Sequence, residues 1–90
     1  MSVSLKGNPD ELERFIAALI NYVENITEET EYIRQEHERL SETWQDNKSA
    51  RFEEDFEQLI RAMETFRNSA EEQIPILQYL LLKMREYQEG

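Results

Sequence analysis

The single histidine and the carboxylates are the side chains of this 90-residue sequence with the most obvious chemistry. His37 is the only histidine, and 20 aspartates and glutamates stand against 10 lysines and arginines. A carboxylate-bridged di-metal centre in a helical bundle needs Glu-x-x-His pairs. Arg34 occupies the glutamate position before His37, and no second histidine exists. His37 is therefore interpreted as a core-facing residue hydrogen-bonded to a neighbour.

Catalytic patterns of other kinds are also missing from the sequence. Cysteine is absent, and the two glycines form no phosphate-binding loop. General acid catalysis requires a carboxyl group with a raised pKa in a concave site. Because charged residues make up 33% of the chain, accidental pairs of carboxylates are expected and indicate nothing. The sequence predicts a protein that is not an enzyme and that holds no cofactor or metal.

The acidic net charge argues against some classes of partner. The net charge is −10, whereas nucleic acid binding needs a basic stripe. The first ten residues lack the basic start and apolar run of a signal peptide. The longest apolar stretch, residues 74–82, is far shorter than the ~20 residues of a membrane span. We expect no nucleic acid ligand, no membrane insertion, and a protein that is cytoplasmic or secreted without a cleavable signal peptide.

A first helix is predicted over about residues 9–43. Asn8 and Pro9 indicate its start, because asparagine caps helices and proline suits the first turn. Apolar residues then recur at spacings of three and four, with no proline or glycine between them. The residues predicted to face inward are Ile16, Leu19, Val23, Ile26, Thr30, Ile33, His37, Leu40 and Trp44.

A second helix is predicted over about residues 47–87, with Asp46 placed to cap it. Pro75 lies inside this segment. Because proline lacks a backbone N–H and clashes with the preceding turn, a kink or a short break is expected near it. The residues predicted to face inward are Phe52, Phe56, Leu59, Met63, Phe66, Ala70, Gln73, Leu77, Leu80, Met84 and Tyr87.

The bend between the helices, about residues 44–47, is too short for anything but antiparallel neighbours. The predicted fold is all-α, a single domain over residues 1–90 that forms an antiparallel two-helix hairpin. Two helices leave apolar residues uncovered, and large uncovered patches usually mark interfaces. A second hairpin that completes a four-helix bundle would cover them. The residues predicted to face this partner are Leu12, Phe15, Ile20, Ile60, Ile74 and Leu81.

The chain resembles the WXG-motif family of small helical-hairpin proteins, the early-secreted-antigen-like substrates of type VII secretion. The resemblance rests on the length, the Pro-Asp-Glu-Leu start at residues 9–12, the mid-chain Trp44, and Phe52 eight residues beyond it. Asp46 stands where the family has its motif glycine. The family's C-terminal tyrosine, followed four residues later by an acid, is absent, because Lys83 follows Tyr79 at that distance.

The resemblance implies a protein that acts by helical pairing and by recognition. The implied partners are an identical or similar hairpin, giving a homodimer or a heterodimer, and a secretion ATPase or larger effector that reads Trp44, Asp46 and Phe52 at the bend. Trp44 could instead serve only to plug the open end of the core. Two other functions stay open: a cytoplasmic adaptor that pairs with a helical segment of a larger protein without being exported, and an acidic binder of a basic partner.

Overall fold

The computed structural model describes residues 6–89 and contains two helices, α1 (Pro9–Thr43) and α2 (Asn47–Glu89). They lie side by side in opposite directions and form a rod of 66 × 25 × 14 Å. The all-α antiparallel hairpin predicted from the sequence is confirmed. Residues 1–5 and 90 of the predicted domain lie outside the described range.

Both ends of α1 are closed by local hydrogen bonds. The Asn8 side-chain oxygen accepts from the backbone N–H of Asp10 at 2.9 Å and of Glu11 at 3.4 Å, which satisfies two donors that have no partner within the helix. At the other end, Trp44 leaves the helix in an extended conformation, and its N–H donates to the Leu40 carbonyl at 3.0 Å. The helix begins at Pro9 with Asn8 as its N-cap.

Asp46 begins α2 as its N-cap. One carboxylate oxygen accepts from the N–H of Lys48 and of Ser49, both at 2.9 Å. The Ser49 hydroxyl donates back to the Asp46 carbonyl at 2.6 Å. Further along, α2 continues without interruption through Pro75, so the short break offered as an alternative to a kink is not found.

The interior of the hairpin is thin. Among the described residues, the buried apolar side chains are Ile16, Val23 and Ile60, and the buried polar ones are Thr30 and Ser49. The Thr30 hydroxyl donates to the Ile26 carbonyl at 2.6 Å, so it needs no partner across the interface. A single row of contacts holds the two helices together over most of their length.

The rotation of α2 about its axis differs from the prediction. Ile60, expected on the partner-facing side, is only 5% exposed, whereas Leu59, expected inside, is 55% exposed. This rotation removes the Ile60 side chain from water between the helices, and it brings Glu64, one turn later, within reach of Arg34 on α1. The inward-facing prediction is wrong for the following exposed residues: Ile33, Leu40, Phe52, Leu59, Phe66, Gln73 and Tyr87.

Candidate functional site

One side of the hairpin is closed by polar contacts between the helices, and we call it the polar side. Arg34 bonds to Glu64 in the middle of the rod. Nearer the bend, the Ser41 hydroxyl donates to a carboxylate oxygen of Glu53 at 2.8 Å. Helical periodicity places Arg34 and Ser41 in one row of α1, since they are seven residues apart. This row marks the edge of α1 that meets α2 through charge and hydrogen bonding.

The polar side continues to the open end of the hairpin, where Arg85 joins the two chain ends. Its guanidinium bonds to Glu13 and lies 3.4 Å from Asp10. The hydrogen bond that the guanidinium donates to Glu13 raises the pKa of Arg85 above its ordinary value. One turn beyond, the side-chain amide of Gln88 donates to the Gly7 carbonyl at 3.3 Å. These contacts link residues more than seventy positions apart in the sequence.

The opposite side of the hairpin is apolar. Tyr22 meets Phe66 edge to face, with ring centroids 6.0 Å apart. Toward the bend, an open groove of about 180 Å³ is lined by Ile33, Leu40 and Phe52 together with Phe56, His37 and Glu36. Seven-residue steps from these contacts define the rest of the surface. We call it the apolar face, and its residues are Leu12, Phe15, Leu19, Tyr22, Ile26, Ile33 and Leu40 of α1 and Phe52, Leu59, Phe66, Leu80 and Tyr87 of α2.

The apolar face carries little charge. None of its twelve residues carries a formal charge at neutral pH, and Gln73 is the polar interruption in its α2 row. On α1, Glu29 and Glu36 continue the seven-residue row of Phe15 and Tyr22, and Glu36 lines the groove, whereas Asp55 and Lys83 lie on the outer edge of α2. A largely apolar surface of this kind is suited to packing against other helices.

The six residues predicted to face a partner do not share one surface. Leu12 and Phe15 lie on the apolar face, where Phe15 is 56% exposed. Ile20 falls in the α1 row of Arg34, on the polar side. The remaining three share one row of α2, of which Ile60 is buried between the helices while Ile74 and Leu81 are half-buried. The expectation that Ile60 is available to a partner is corrected, because its side chain packs inside its own hairpin.

Sequence reasoning missed the exposed members of the apolar face, Leu59 and Phe66 above all. A signal for them was present in α1. Phe15 and Tyr22 extend its apolar arc toward one side only, whereas the row of Arg34 and Ser41 on the other side is largely polar. When the apolar residues of a helix extend to one side only, as here, that side is where an uncovered apolar surface is expected.

The bend gathers the aromatic residues of the neighbouring turns into a cluster. His37 stacks on Phe56, with ring centroids 4.2 Å apart and planes 11° apart. Trp44 lies 5.4 Å from Phe52, whose ring is 5.9 Å from that of Phe56. Trp44 is half-buried. The fold therefore brings Trp44 and Phe52 together, and part of the indole covers the end of the core while part remains at the surface.

His37 contacts a carboxylate as well as the aromatic rings. Its Nε2 lies 2.9 Å from an oxygen of Glu53, but the approach is off the direction of a hydrogen bond. Within residues 6–89, no three histidine or acidic side chains converge in a way that could hold a metal ion. His37 thus packs near the bend against Phe56 and beside Glu53.

The backbone of the bend explains why an aspartate is tolerated at position 46. Among the described residues, none has a positive φ, so the turn needs no residue with glycine's conformational freedom. The hydrogen bond from the Ser49 N–H lowers the pKa of the Asp46 carboxyl, and the Trp44 side chain and the Lys48 N–H add to this effect. Asp46 thus acts as the N-cap of α2 through the N–H groups of Lys48 and Ser49.

Two grooves on the polar side, of about 330 and 370 Å³, are open and lined mainly by charged side chains. In the second, the Nε of Arg67 is buried without a hydrogen-bond partner, and its Nη2 donates to Asn68 at 3.2 Å. Glu31 and Glu64 line the same groove as Arg34 and Arg67. Mixed charges of this kind neither concentrate an anion nor form a catalytic pair.

The sequence profile of a family described as "Proteins of 100 residues with WXG" matches residues 4–75 of the chain. Neither a curated protein nor a solved structure matches it. Across residues 6–89, neither helix combines the length and the apolarity that crossing a membrane would require. The matched segment contains α1, the bend and most of α2, including Trp44, Asp46 and Phe52.

Proposed function

Because the chain belongs to the WXG100 family, we propose that it is a pairing module of a type VII-like secretion system. The family consists of small non-enzymatic helical proteins of the secreted type that typically pair as dimers. On this proposal, the chain packs against a second helical hairpin to form a four-helix bundle. The assembled bundle is recognised by a secretion ATPase or by a larger effector that it accompanies.

The observation that carries this proposal is the apolar face. Four of its large side chains are more than half exposed, namely Phe15, Leu59, Phe66 and Tyr87, and Tyr22 is 48% exposed. Monomeric soluble proteins rarely leave apolar patches of this extent uncovered. Helical hairpins that present one apolar face reach a stable core by packing on another pair of helices.

The bend supports the recognition part of the proposal. Trp44 presents part of its indole at the end of the rod, beside Phe52. Next to it, Asp46 fixes the backbone because its side chain caps α2. Aromatic side chains that are anchored on one face and exposed on the other are common in recognition surfaces. Trp44, Asp46 and Phe52 are accordingly proposed as the surface that the secretion machinery reads.

A cytoplasmic adaptor that pairs with a helical segment of a larger protein is the second candidate. The observation that favours it is the C-terminal sequence, because Lys83 replaces the acid expected four residues after Tyr79. In the structure, Lys83 instead hydrogen-bonds to Glu86 at 3.2 Å and lies 5.4 Å from the Tyr79 ring centre. Both candidates use the apolar face, and they differ in whether the paired protein leaves the cell.

The deciding experiment measures export in the organism that makes the protein. The chain is followed by immunoblot in cells and in culture supernatant, in a wild-type strain and in one that lacks the secretion ATPase. Export that depends on the ATPase supports the first proposal. Retention in the cells in both strains, together with co-purification of a larger helical protein, would instead establish the adaptor function. A cytoplasmic marker protein controls for lysis.

A further inference from the structure

We propose that Glu31 of α1 and Arg67 of α2 form an ion pair across the hairpin. With the observed pair of Arg34 and Glu64, they complete a group of four side chains that we call the central charge cluster. This cluster keeps the row of Ile60 turned toward α1. The inference goes beyond the secretion function and does not depend on export.

Arg67 differs from the other basic residues that make no ion pair. In the part of the chain that the structure describes, three such residues are exposed: Lys6, Lys48 and Arg51. Arg67 is half-buried, and its Nε is shielded from water without a hydrogen-bond partner. A shielded donor without an acceptor lowers stability, and more so on a charged group. A nearby carboxylate would therefore stabilise Arg67 more than it would the exposed cations.

The position of Arg67 directs its side chain toward α1. Arg67 comes seven residues after Ile60 and seven before Ile74, so the three residues occupy one row of the helix. Ile60 is buried and Ile74 is half-buried. The hydroxyl groups of α1 in the groove of Arg67 belong to Thr27 and Thr30, and each donates to a carbonyl of its own helix. Neither supplies a negative charge.

Glu31 is the carboxylate of α1 that lines the same groove. In antiparallel helices, a step back along one helix is level with an equal step forward along the other. Glu31 stands three residues before Arg34, and Arg67 stands three residues after Glu64, so Glu31 and Arg67 are level, as the observed pair is. The same register joins Arg85 to α1 at the open end.

The pair requires only a change of side-chain rotamers. Glu31 is exposed, and the groove of about 370 Å³ is open, so its carboxylate has room to turn toward Arg67. At present the Nη2 of Arg67 donates to the neutral side chain of Asn68 at 3.2 Å, within its own helix. Exchanging this amide for a carboxylate gives a shorter and stronger hydrogen bond, because both partners are then charged.

The signs of the four charges alternate around the groove. Glu31 and Arg34 are three residues apart on α1, and Glu64 and Arg67 are three apart on α2, which is a spacing at which opposite charges attract. Across the groove, Arg34 meets Glu64 and Glu31 meets Arg67. Each charge therefore has two neighbours of opposite sign, and the cluster as a whole is neutral.

The central charge cluster favours one of two rotations of α2. The rows of Leu59 and Ile60 are both apolar, so burial of apolar surface alone distinguishes them weakly. Turning the row of Leu59 inward would move Arg67 and Glu64 by about 100° around the helix axis, away from Glu31 and α1. Ion pairs that an alternative packing would break discriminate against that packing. The cluster thereby determines which apolar row of α2 stays on the surface.

The ion pair is tested by reversing both of its charges. Glu31→Arg and Arg67→Glu should each lower the melting temperature by about 3–6 °C, because each places like charges around the groove. The double variant should recover at least half of the summed loss. It leaves like charges three residues apart within each helix, so recovery can come only from contact between the helices. Losses that add in the double variant would overturn the pair.

Glu28→Arg is the matched control for Glu31→Arg. It makes the same change in net charge on α1, but Glu28 is exposed and lies outside the lining of the groove. Its loss and that of Arg67→Glu should therefore add when the two are combined. Recovery in this combination as well would show that net charge rather than contact is responsible. Circular dichroism follows the unfolding of all variants at one chain concentration.

The rotation is tested with single cysteines, because the chain has none of its own. Ile60→Cys and Val23→Cys place thiols at two buried positions, where the side chains are 5% and 7% exposed. In the Arg67→Glu background, a thiol reagent should label position 60 at least about fivefold faster than before, with little change at position 23, since a turn of α2 uncovers its own row but still covers α1. Adding Glu31→Arg should restore slow labelling.

The labelling rates distinguish rotation from loss of stability. Equal acceleration at positions 23 and 60 would mean that the helices only separate, and it would overturn the role of the central charge cluster in rotation. Unchanged rates at both positions would overturn it as well. Both experiments use the purified chain alone, so their failure leaves the secretion proposal standing, and a protein that is never exported leaves the cluster intact.

Discussion

Tyr22 of α1 and Phe66 of α2 meet edge to face across the hairpin, with ring centroids 6.0 Å apart and ring planes at 81°. On the other side of the same two helices, Arg34 bonds to Glu64, two residues before Phe66. The hairpin therefore has two unlike sides: on one, ion pairs join the helices, and the other is apolar and uncovered. Because edge-to-face aromatic pairs leave ring surface free, the Tyr22–Phe66 contact also forms part of the surface offered to a partner.

Ile60 should be the most sensitive apolar position in the second half of the chain. Ile60→Ala is expected to reduce the free energy of unfolding by about 2 kcal/mol or more, because it removes methyl groups from a side chain buried between the helices. Leu82→Ala, at an exposed position, should change it by less than about 0.5 kcal/mol. Urea unfolding measures both variants at the same chain concentration. Similar losses for the two variants would contradict the burial of Ile60.

Asp46 should stabilise α2 through its capping hydrogen bonds. Asp46→Ala removes the acceptor for the N–H groups of Lys48 and Ser49, and it is expected to lower the melting temperature by several degrees. Asp46→Gly should lower it less, since glycine is a better N-cap than alanine and the family motif has glycine there. Thermal unfolding followed by circular dichroism compares the three proteins. Equal losses would mean that Asp46 stabilises the bend through a different contact.

Replacing the same residue with asparagine should remove a pH dependence. In the folded protein, the hydrogen bond from the Ser49 N–H lowers the pKa of Asp46 below its ordinary value of 3.8. A lowered folded pKa stabilises the protein above pH 3.8, and this contribution is lost as the pH falls through the folded pKa. Asparagine caps well but does not ionise. The difference in melting temperature between wild type and Asp46→Asn should therefore be largest near pH 6 and shrink toward pH 3, and a constant difference would refute the ionic contribution.

Arg85 should hold the open end of the hairpin. Arg85→Glu replaces its contacts with Glu13 and Asp10 by repulsion, so the first turns of α1 should exchange their amide hydrogens faster, while the turns near the bend are unchanged. Arg61→Glu is the matched control, because Arg61 makes only an exposed contact of 3.8 Å with Glu57 within its own helix. Hydrogen exchange with mass spectrometry resolves the two ends. Uniform acceleration along the chain would show that Arg85 acts on global stability instead.

Trp44 should contribute more to recognition than to folding. Trp44→Phe keeps an aromatic ring beside Phe52 but removes the indole N–H and part of the exposed contact area. A small fall in melting temperature is expected, with a larger loss of export or of binding to the secretion machinery. Phe56→Leu is the control within the same cluster, because Phe56 packs against His37 and should affect stability first. Normal export by the folded fraction of Trp44→Phe would identify the tryptophan as a core residue alone.

The sequence by itself determined the elements of this protein. The helix start at Asn8 and the cap at Asp46 are interactions between residues two or three positions apart, and such short-range hydrogen bonds are formed by the local chain alone. The apolar spacing of three and four fixed both helices, and the short bend fixed their antiparallel order. The sequence also indicated that an apolar surface would remain uncovered, because each helix carries more apolar residues than the other helix can cover.

The tertiary structure decided which apolar row of α2 faces inward. The rows of Leu59 and Ile60 are both apolar and both recur every seven residues, so helical periodicity does not distinguish them. Their order depends on contacts between residues far apart in the chain, such as Arg34 with Glu64 and Arg85 with Glu13. These contacts form when Ile60 turns inward, and they leave Leu59 and Phe66 on the surface. The location of the candidate interface follows from this rotation, because side-chain partners across a hairpin are set by packing rather than by local sequence.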